Sequence, residues 1–398
     1  MAVIITILLV YLSLNTLIWF FRHKAISRAK ITAENLDSGY NVDQTRKVPK
    51  VSVLVAGKNE EKNIERCLRS LLAQNYPDLE IIAINDRSDD RTGAIMDQVA
   101  AESQGRLRVV HIETLPQGWL GKPHAMHQGA KLATGEYLLF TDADCFFQCP
   151  DAVRISVEYA INKRVDLLSV LPVLETGSFW ERVLQPVCSA IMMLWFRPEW
   201  VNDPARKVAY ANGAFMLFTR SSYESIRGHE SVKNHLNEDM EFARLIKGSS
   251  HQLYVVPNRD LYRTRMYDNF RGTYAGWSRI FYGCFVKPVR VVIVMAVLSL
   301  MSLVPYALFI AAVGWGIVSD WSFVHAKANW FLVLSFTAIV AQMSVLIRFY
   351  PLMGSPWSRA LTYPLGAVVT LAILFNSLRK FRGGKIIWRG SEIKGMNV

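Results

Sequence analysis

Cysteine is scarce in this chain, five in 398 residues, an odd number without a repeated spacing. That excludes a disulfide framework and fits a reducing compartment. Cys145 and Cys149 form a C-x3-C, but no further Cys or His stands beside them at ligand spacing, so they read as reduced, structural thiols. Charge is thin as well, at 20% of residues, and acidic residues are outnumbered by basic ones to give a net charge of +12. Lys and Arg cluster beside apolar segments, which suits anionic lipid headgroups and argues against nucleic acid as a partner. Internal repeats and low-complexity runs are absent, which excludes solenoids and arrays.

What the sequence has in excess is apolar residues, 51% of the chain, and they are unevenly placed. Residues 2 to 21 carry no charge, and at ~1.5 Å per residue they span a ~30 Å hydrocarbon layer. The stretch lacks a basic n-region, a short apolar core and a small-residue cleavage site, so residues 1 to 22 read as an uncleaved anchor. Arg22, Lys24, Arg28 and Lys30 follow at once, and the positive-inside bias places the chain after them in the cytoplasm. The expectation is an integral membrane protein of a prokaryotic plasma membrane with its catalytic domain cytoplasmic.

Between Val51 and Pro172 short apolar runs alternate with amphipathic stretches. Residues 51 to 57, 79 to 85, 107 to 112, 136 to 140 and 166 to 171 read as strands, and Asn59 to Gln74 as a helix. This alternation predicts an α/β domain with a mostly parallel sheet. Three strand ends carry polar residues: Asn59 and Glu60 after the first, Asp86 after the second, Asp142 and Asp144 after the fourth. Ligands bind at the carboxyl ends of such sheets. Carboxylates at i and i+2 can share a face and hold one hard cation, Mg2+ or Mn2+, against a diphosphate; their bland role is to cap the next helix. Asp86 can hold a base or ribose, or equally serve as an N-cap. In GWLGKPHAMH, Lys122 suits a phosphate, and His124 with His127 lacks a third metal ligand.

Residues 175 to 200 break the rhythm with Phe179, Trp180, Ile191 to Phe196 and Trp200 around Pro186, a stretch that reads equally as core or as an interfacial helix at which a lipid substrate enters. Residues 210 to 218 read as a strand whose glycine permits close approach. In NEDMEFARLI, Glu238 and Asp239 open a helix, either as favourable first-turn acids or as a carboxylate general base. Residues 261 to 288 interleave Arg263, Arg265, Arg271 and Arg279 with aromatics, as in a membrane-surface segment. The region 289 to 378 is apolar: 289 to 318 and 329 to 346 each suffice to span, while 360 to 378 is interrupted by Pro364 and Gly366. A third full span there would carry the basic tail, 379 to 398, outside against the positive-inside bias, so the last segment is expected to be re-entrant or interfacial, its backbone broken and shielded by protein.

Together VSVLVAGKNEEKNIERCLRSLLAQNYPDLEIIAINDRSDDRT and GKPHAMHQGAKLATGEYLLFTDADC resemble the family 2 inverting glycosyltransferases of GT-A fold, and within them the membrane-anchored lipid glycosyltransferases: ceramide glucosyltransferases and the hopene-associated and diaponeurosporenoate enzymes. The resemblance implies a GT-A domain over residues 48 to 260. It implies that Asp86 holds the uracil and ribose, that Asp142 and Asp144 bind the metal, and that Asp239, with Glu238 beside it, is the general base; Asn59, Glu60 and Lys122, read from the residues themselves, are expected as further donor contacts. Where many relatives carry Q/R-x-x-R-W, this chain has Gly276, Trp277, Ser278, Arg279 and Ile280, keeping only the arginine for the diphosphate. The expected activity is that of a hexosyltransferase moving one sugar from a UDP-linked donor to a lipid hydroxyl. The alternatives are transfer to a polyprenyl phosphate and a non-catalytic scaffold that binds a nucleotide sugar.

Overall fold

The structure, a computed structural model, describes residues 2–32, 34–318, 326–383, 386–388 and 391–393. Lys385 and Arg389 of the expected basic tail lie outside the described residues.

In chain order the helix α1 (Ala2–Thr32) precedes β1 (Val51–Gly57), α2 (Ile64–Leu72), β2 (Leu79–Asp86), α3 (Thr92–Glu102), β3 (Leu107–Ile112), α4 (Gly121–Leu132), β4 (Tyr137–Asp142) and β5 (Cys145–Phe147). Next come α5 (Ala152–Lys163), β6 (Leu167–Leu171), β7 (Val173–Leu174), α6 (Phe179–Trp195), α7 (Pro198–Val201), β8 (Phe215–Thr219), α8 (Arg220–Ser225), α9 (Gly228–Ser231) and α10 (Glu238–Lys247). The chain continues through β9 (Leu253–Pro257), β10 (Tyr262–Thr264), α11 (Phe270–Phe285), α12 (Pro288–Leu298), a π-helical turn (Ser299–Leu303), α13 (Val304–Val318), α14 (Ala326–Leu352), a 3₁₀ turn (Trp357–Thr362), α15 (Tyr363–Lys380) and the hairpin β11 (Ile386–Trp388) and β12 (Ser391–Ile393).

These elements form two compact units. One is α/β and takes Glu34–Glu175, Met192–Met266 and Lys385–Val398; the other is helical and takes Met1–Ala33, Thr176–Ile191 and Tyr267–Gly384. In the α/β unit seven strands lie in the order β3-β2-β1-β4-β8-β6-β9. β8 runs antiparallel to both its neighbours, and the other pairs are parallel. The sequence of β1 explains its central place: Val51, Val53, Leu54 and Val55 are all buried, as in a strand covered on both faces, so the run does not alternate. Ile64, Leu68 and Leu71 of α2 close one face, and Ala125 and Met126 of α4 are buried as well. A small second sheet, β5-β10-β7, stands beside the main one.

Two expectations shift here. The strand read over 210 to 218 begins only at Phe215, because Asn212 makes a turn: its Oδ1 accepts from the Ala214 N–H at 3.0 Å, and its carbonyl from the Phe215 N–H at 3.2 Å. The helix read from Asn59 begins at Ile64, since residues 59 to 61 tie instead to the loop after β2.

Among the described residues the helical unit has four helices long and apolar enough to cross a membrane: Val3–Ala25, Pro288–Trp315, Asn329–Leu352 and Trp357–Lys380. Ile4, Ile7, Leu14, Leu17 and Phe21 of α1 are exposed, an arrangement suited to lipid, while Leu12 and Asn15 are buried. The π-helical turn frees backbone carbonyls from the regular ladder. Asn15 Nδ2 donates to the Leu300 carbonyl at 3.3 Å, and Trp19 Nε1 and Gln342 Nε2 donate to that of Met301 at 3.1 and 3.3 Å. The break expected near Pro364 does not occur. Pro364 falls in the first turn of α15, where a missing N–H costs nothing, and the helix runs on unbroken to Lys380.

Candidate active site

The parallel register brings three polar strand ends together. Gly57 of β1 stands opposite Asn85 of β2, and Ala56 opposite Asp142 of β4, so the loops after these strands leave one edge side by side.

The first two loops are laced to each other. Asn59, at φ 56°, gives its N–H to Ser88 Oγ at 3.1 Å and accepts the Asp89 N–H on Oδ1 at 2.9 Å. The Glu60 N–H donates to Thr92 Oγ1 at 2.7 Å, and the Glu60 carboxylate accepts from Asn63 at 2.9 Å. Both residues hold the loop that carries Asp86. Asp86 is buried, and its Oδ1 accepts from Arg87 Nε and Nη2, each at 2.8 Å. Its Oδ2 lies against the start of α4, where a Cβ on Gly121 would come within 2.5 Å of it. Only glycine allows that approach.

Trp119, just before α4, packs against His124 and His127, with ring centroids 5.5 and 4.8 Å apart. Burial lowers the pKa of both imidazoles, and no group of three metal-ligating side chains is found among the described residues. Both histidines pack on the tryptophan, and His124 Nε2 also meets Gln128 Nε2 at 3.1 Å.

Lys122, one residue into α4, carries its ammonium to the centre of the site. Nζ is 2.7 Å from Asp142 Oδ1 and 2.7 Å from Glu238 Oε1. Burial disfavours its charge, but Asp142 and Glu238 outweigh that and raise its pKa. Glu238 is buried, and Asp239 beside it in the first turn of α10 accepts the Gly213 N–H on Oδ2 at 3.0 Å. A Cβ on Gly213 would stand 3.1 Å from Lys122 Nζ and 3.5 Å from Asp239 Oδ2, so this glycine keeps the space between them. Burial and the neighbouring Glu238 charge raise the Asp239 pKa to about 6, with Lys122 and the Met240 and Gly213 N–H groups pulling the other way. His229, buried nearby and joined to Tyr223 at 2.9 Å, is held neutral by burial and by the Lys122 charge.

Asp142 ends β4, and Asp144 sits in the turn to β5, each partly exposed. The thiols of Cys67 and Cys145 are kept protonated by burial and by these two carboxylates, so the pair presents hard oxygen rather than soft sulfur. That donor set fits Mg2+ or Mn2+, with the remaining positions left to phosphate oxygens and water. Arg279 lies on α11 in the helical unit, not in the α/β unit that holds the other candidates. Sequence reasoning did not single out Arg87, Gly121 or His229. Gly213 was visible only as a glycine permitting close approach.

Residues 52–227 match the family described as Glycosyl transferase family 2. Over 231 residues the chain is 27% identical to the 4,4'-diaponeurosporenoate glycosyltransferase of Staphylococcus aureus (strain MRSA252), a match that takes in 58% of this chain and 60% of the relative's length. Among solved structures, a mannosyltransferase from Pyrobaculum calidifontis, in complex with GDP-Man and Mn2+, superposes with a TM-score of 0.51 at 19% identity, over 85% of this chain and 96% of that one. At that identity the likeness shows the fold, GT-A.

Proposed function

We propose that residues 52–227, which match the family described as Glycosyl transferase family 2 and lie in a GT-A fold, equip the protein to transfer one sugar, with inversion, from a UDP-linked donor to a hydroxyl on a membrane lipid. The observation that carries this is that Lys122 pairs both with Asp142, one of two carboxylates at the end of β4, and with Glu238, the neighbour of Asp239, whose own pKa is raised.

Asp86 holds the nucleotide. With Oδ1 given to Arg87, Oδ2 serves one ring N–H, the number uracil supplies at N3. Asn59 and Glu60 keep that loop in place, and Lys122 meets the diphosphate; Arg279 is retained as a further diphosphate contact by resemblance alone. Asp239 accepts the proton of the acceptor hydroxyl as its oxygen attacks the anomeric carbon. The bond to the diphosphate breaks on the opposite face and its electron pair leaves with the diphosphate. A divalent cation on Asp142 and Asp144, when bound, supplies charge neutralisation for that leaving group. The Staphylococcus aureus relative is named for 4,4'-diaponeurosporenoate, and the four apolar helices here suit an acceptor that itself resides in a bilayer. The basic residues that close α1 behind its apolar stretch support a catalytic unit on the cytoplasmic side.

The test is label transfer from radiolabelled UDP- and GDP-sugars by the purified protein in liposomes of native lipid extract with Mn2+. A labelled lipid from a UDP-sugar is the expected product. UDP binding without transfer from any donor would favour a scaffold.

Two variants probe the parts. Gly121→Ala places a methyl group against Asp86 Oδ2, and the loss of a charge-assisted hydrogen bond worth ~1.5–3 kcal/mol is expected to weaken UDP binding roughly 10- to 100-fold by calorimetry. Glu238→Gln removes one of the two causes that raise the Asp239 pKa. Its kcat/KM is therefore expected to rise with pH through a midpoint below that of wild type, read from paired pH–rate profiles. A midpoint that stays or moves upward would assign the acid limb to another group.

A further inference from the structure

Lys122 touches both halves of the site. Its ammonium stands 2.7 Å from an oxygen of Asp142, at the end of β4, and 2.7 Å from an oxygen of Glu238, at the start of α10. Gly213 leaves the room in which that ammonium sits, since any side chain there would begin 3.1 Å from Nζ. The lysine is therefore built into the site as an internal cation, hooked to the element that carries Asp239.

An ammonium and a divalent cation compete for the same carboxylate oxygens, because each binds through charge. An incoming diphosphate alters that competition. It brings oxygens to which the ammonium can turn while Glu238 still holds it, and it supplies further ligands to the cation. Glycine at 213 and a flexible four-carbon stem leave Nζ free to make that short move.

We propose, resting on the glycosyltransferase reading above, that Lys122 is a positioning residue that guards the cation site. It neutralises Asp142 in the donor-free protein and passes to the diphosphate when donor and divalent cation enter together. Metal alone binds weakly, metal with nucleotide binds well, and the Glu238 bond ties arrival of the diphosphate to the helix that bears the base. The coupling is reciprocal: whatever UDP does for the metal, the metal does for UDP.

The experiment is titration of Mn2+, followed by electron paramagnetic resonance of the free ion, into the full-length protein in detergent, with and without UDP. Wild type is compared with Lys122→Met and Lys122→Arg, and thermal melting reports that each is folded. In wild type, UDP is expected to tighten Mn2+ binding at least roughly tenfold. Lys122→Met is expected to bind Mn2+ alone roughly tenfold more tightly than wild type and to lose most of the gain from UDP. Lys122→Arg is expected to restore weak binding of Mn2+ alone. A gain of metal binding on removing a lysine is not what loss of a merely structural residue produces.

If Lys122→Met binds Mn2+ alone no more tightly than wild type, or UDP tightens Mn2+ equally in both, the proposal is overturned while the glycosyltransferase reading stands. If wild type binds neither Mn2+ nor UDP, that reading falls and the proposal with it.

Discussion

Asp239→Asn is expected to lower kcat by roughly 10²–10⁴-fold, the usual contribution of a general base, while UDP and Mn2+ still bind. The side chain meets the conditions for such a base. It is partly buried against Glu238, and its pKa is raised to about 6, so it is ionised at neutral pH yet a better proton acceptor than an ordinary aspartate. Asparagine preserves the size and can still accept the Gly213 N–H through its carbonyl, so the loss would be one of proton transfer rather than of packing. The measurement is sugar transfer to lipid, with nucleotide binding followed in parallel by calorimetry. A loss of less than about tenfold would sink the hydroxyl-acceptor reading, because an acceptor already ionised, such as a phosphate, needs no base.

The double substitution Asp142→Asn/Asp144→Asn is expected to abolish metal-stimulated transfer, a fall of roughly 10³-fold or more if the cation supplies several kcal/mol to the departing diphosphate. Excess Mn2+ would not restore it. The amides are isosteric and both positions are partly exposed, so the fold should survive, as circular dichroism would report. Metal-stimulated turnover in this variant would place the cation on other residues.

The sheet was legible where strands are buried on both faces. In β1, β2 and β4 the apolar run is continuous and stops abruptly in polar residues, which marks both the strand and the functional end of it. The later strands were harder to read. β9 follows closely on α10 and was not read as a strand, and β8 was started five residues early because Tyr210, Ala211 and Ala214 flank the Asn212 turn and extend the apolar run. Within the site, Asp86, Asp142, Asp144 and Asp239 each carried a local signal. The ion pairs from Lys122 to Asp142 and Glu238 carried none, since they join residues far apart in sequence whose meeting is decided by sheet order. The raised pKa of Asp239 likewise comes from packing, which a sequence does not display. In α15, Pro364 and Gly366 looked like interruptions, but the effect of a proline depends on its place in the helix, and that place was set by a 3₁₀ turn the sequence did not announce.

The π-helical turn between α12 and α13 gives the N-terminal helix a second duty. Asn15 and Trp19 donate to the carbonyls of Leu300 and Met301, and in a hydrocarbon layer an unsatisfied carbonyl would cost several kcal/mol. Cutting α1 away to obtain a simpler protein would strip the Leu300 carbonyl of its side-chain donors and leave that of Met301 to Gln342 alone. α1 is thus tied by side-chain donors to a turn almost three hundred residues further along the chain.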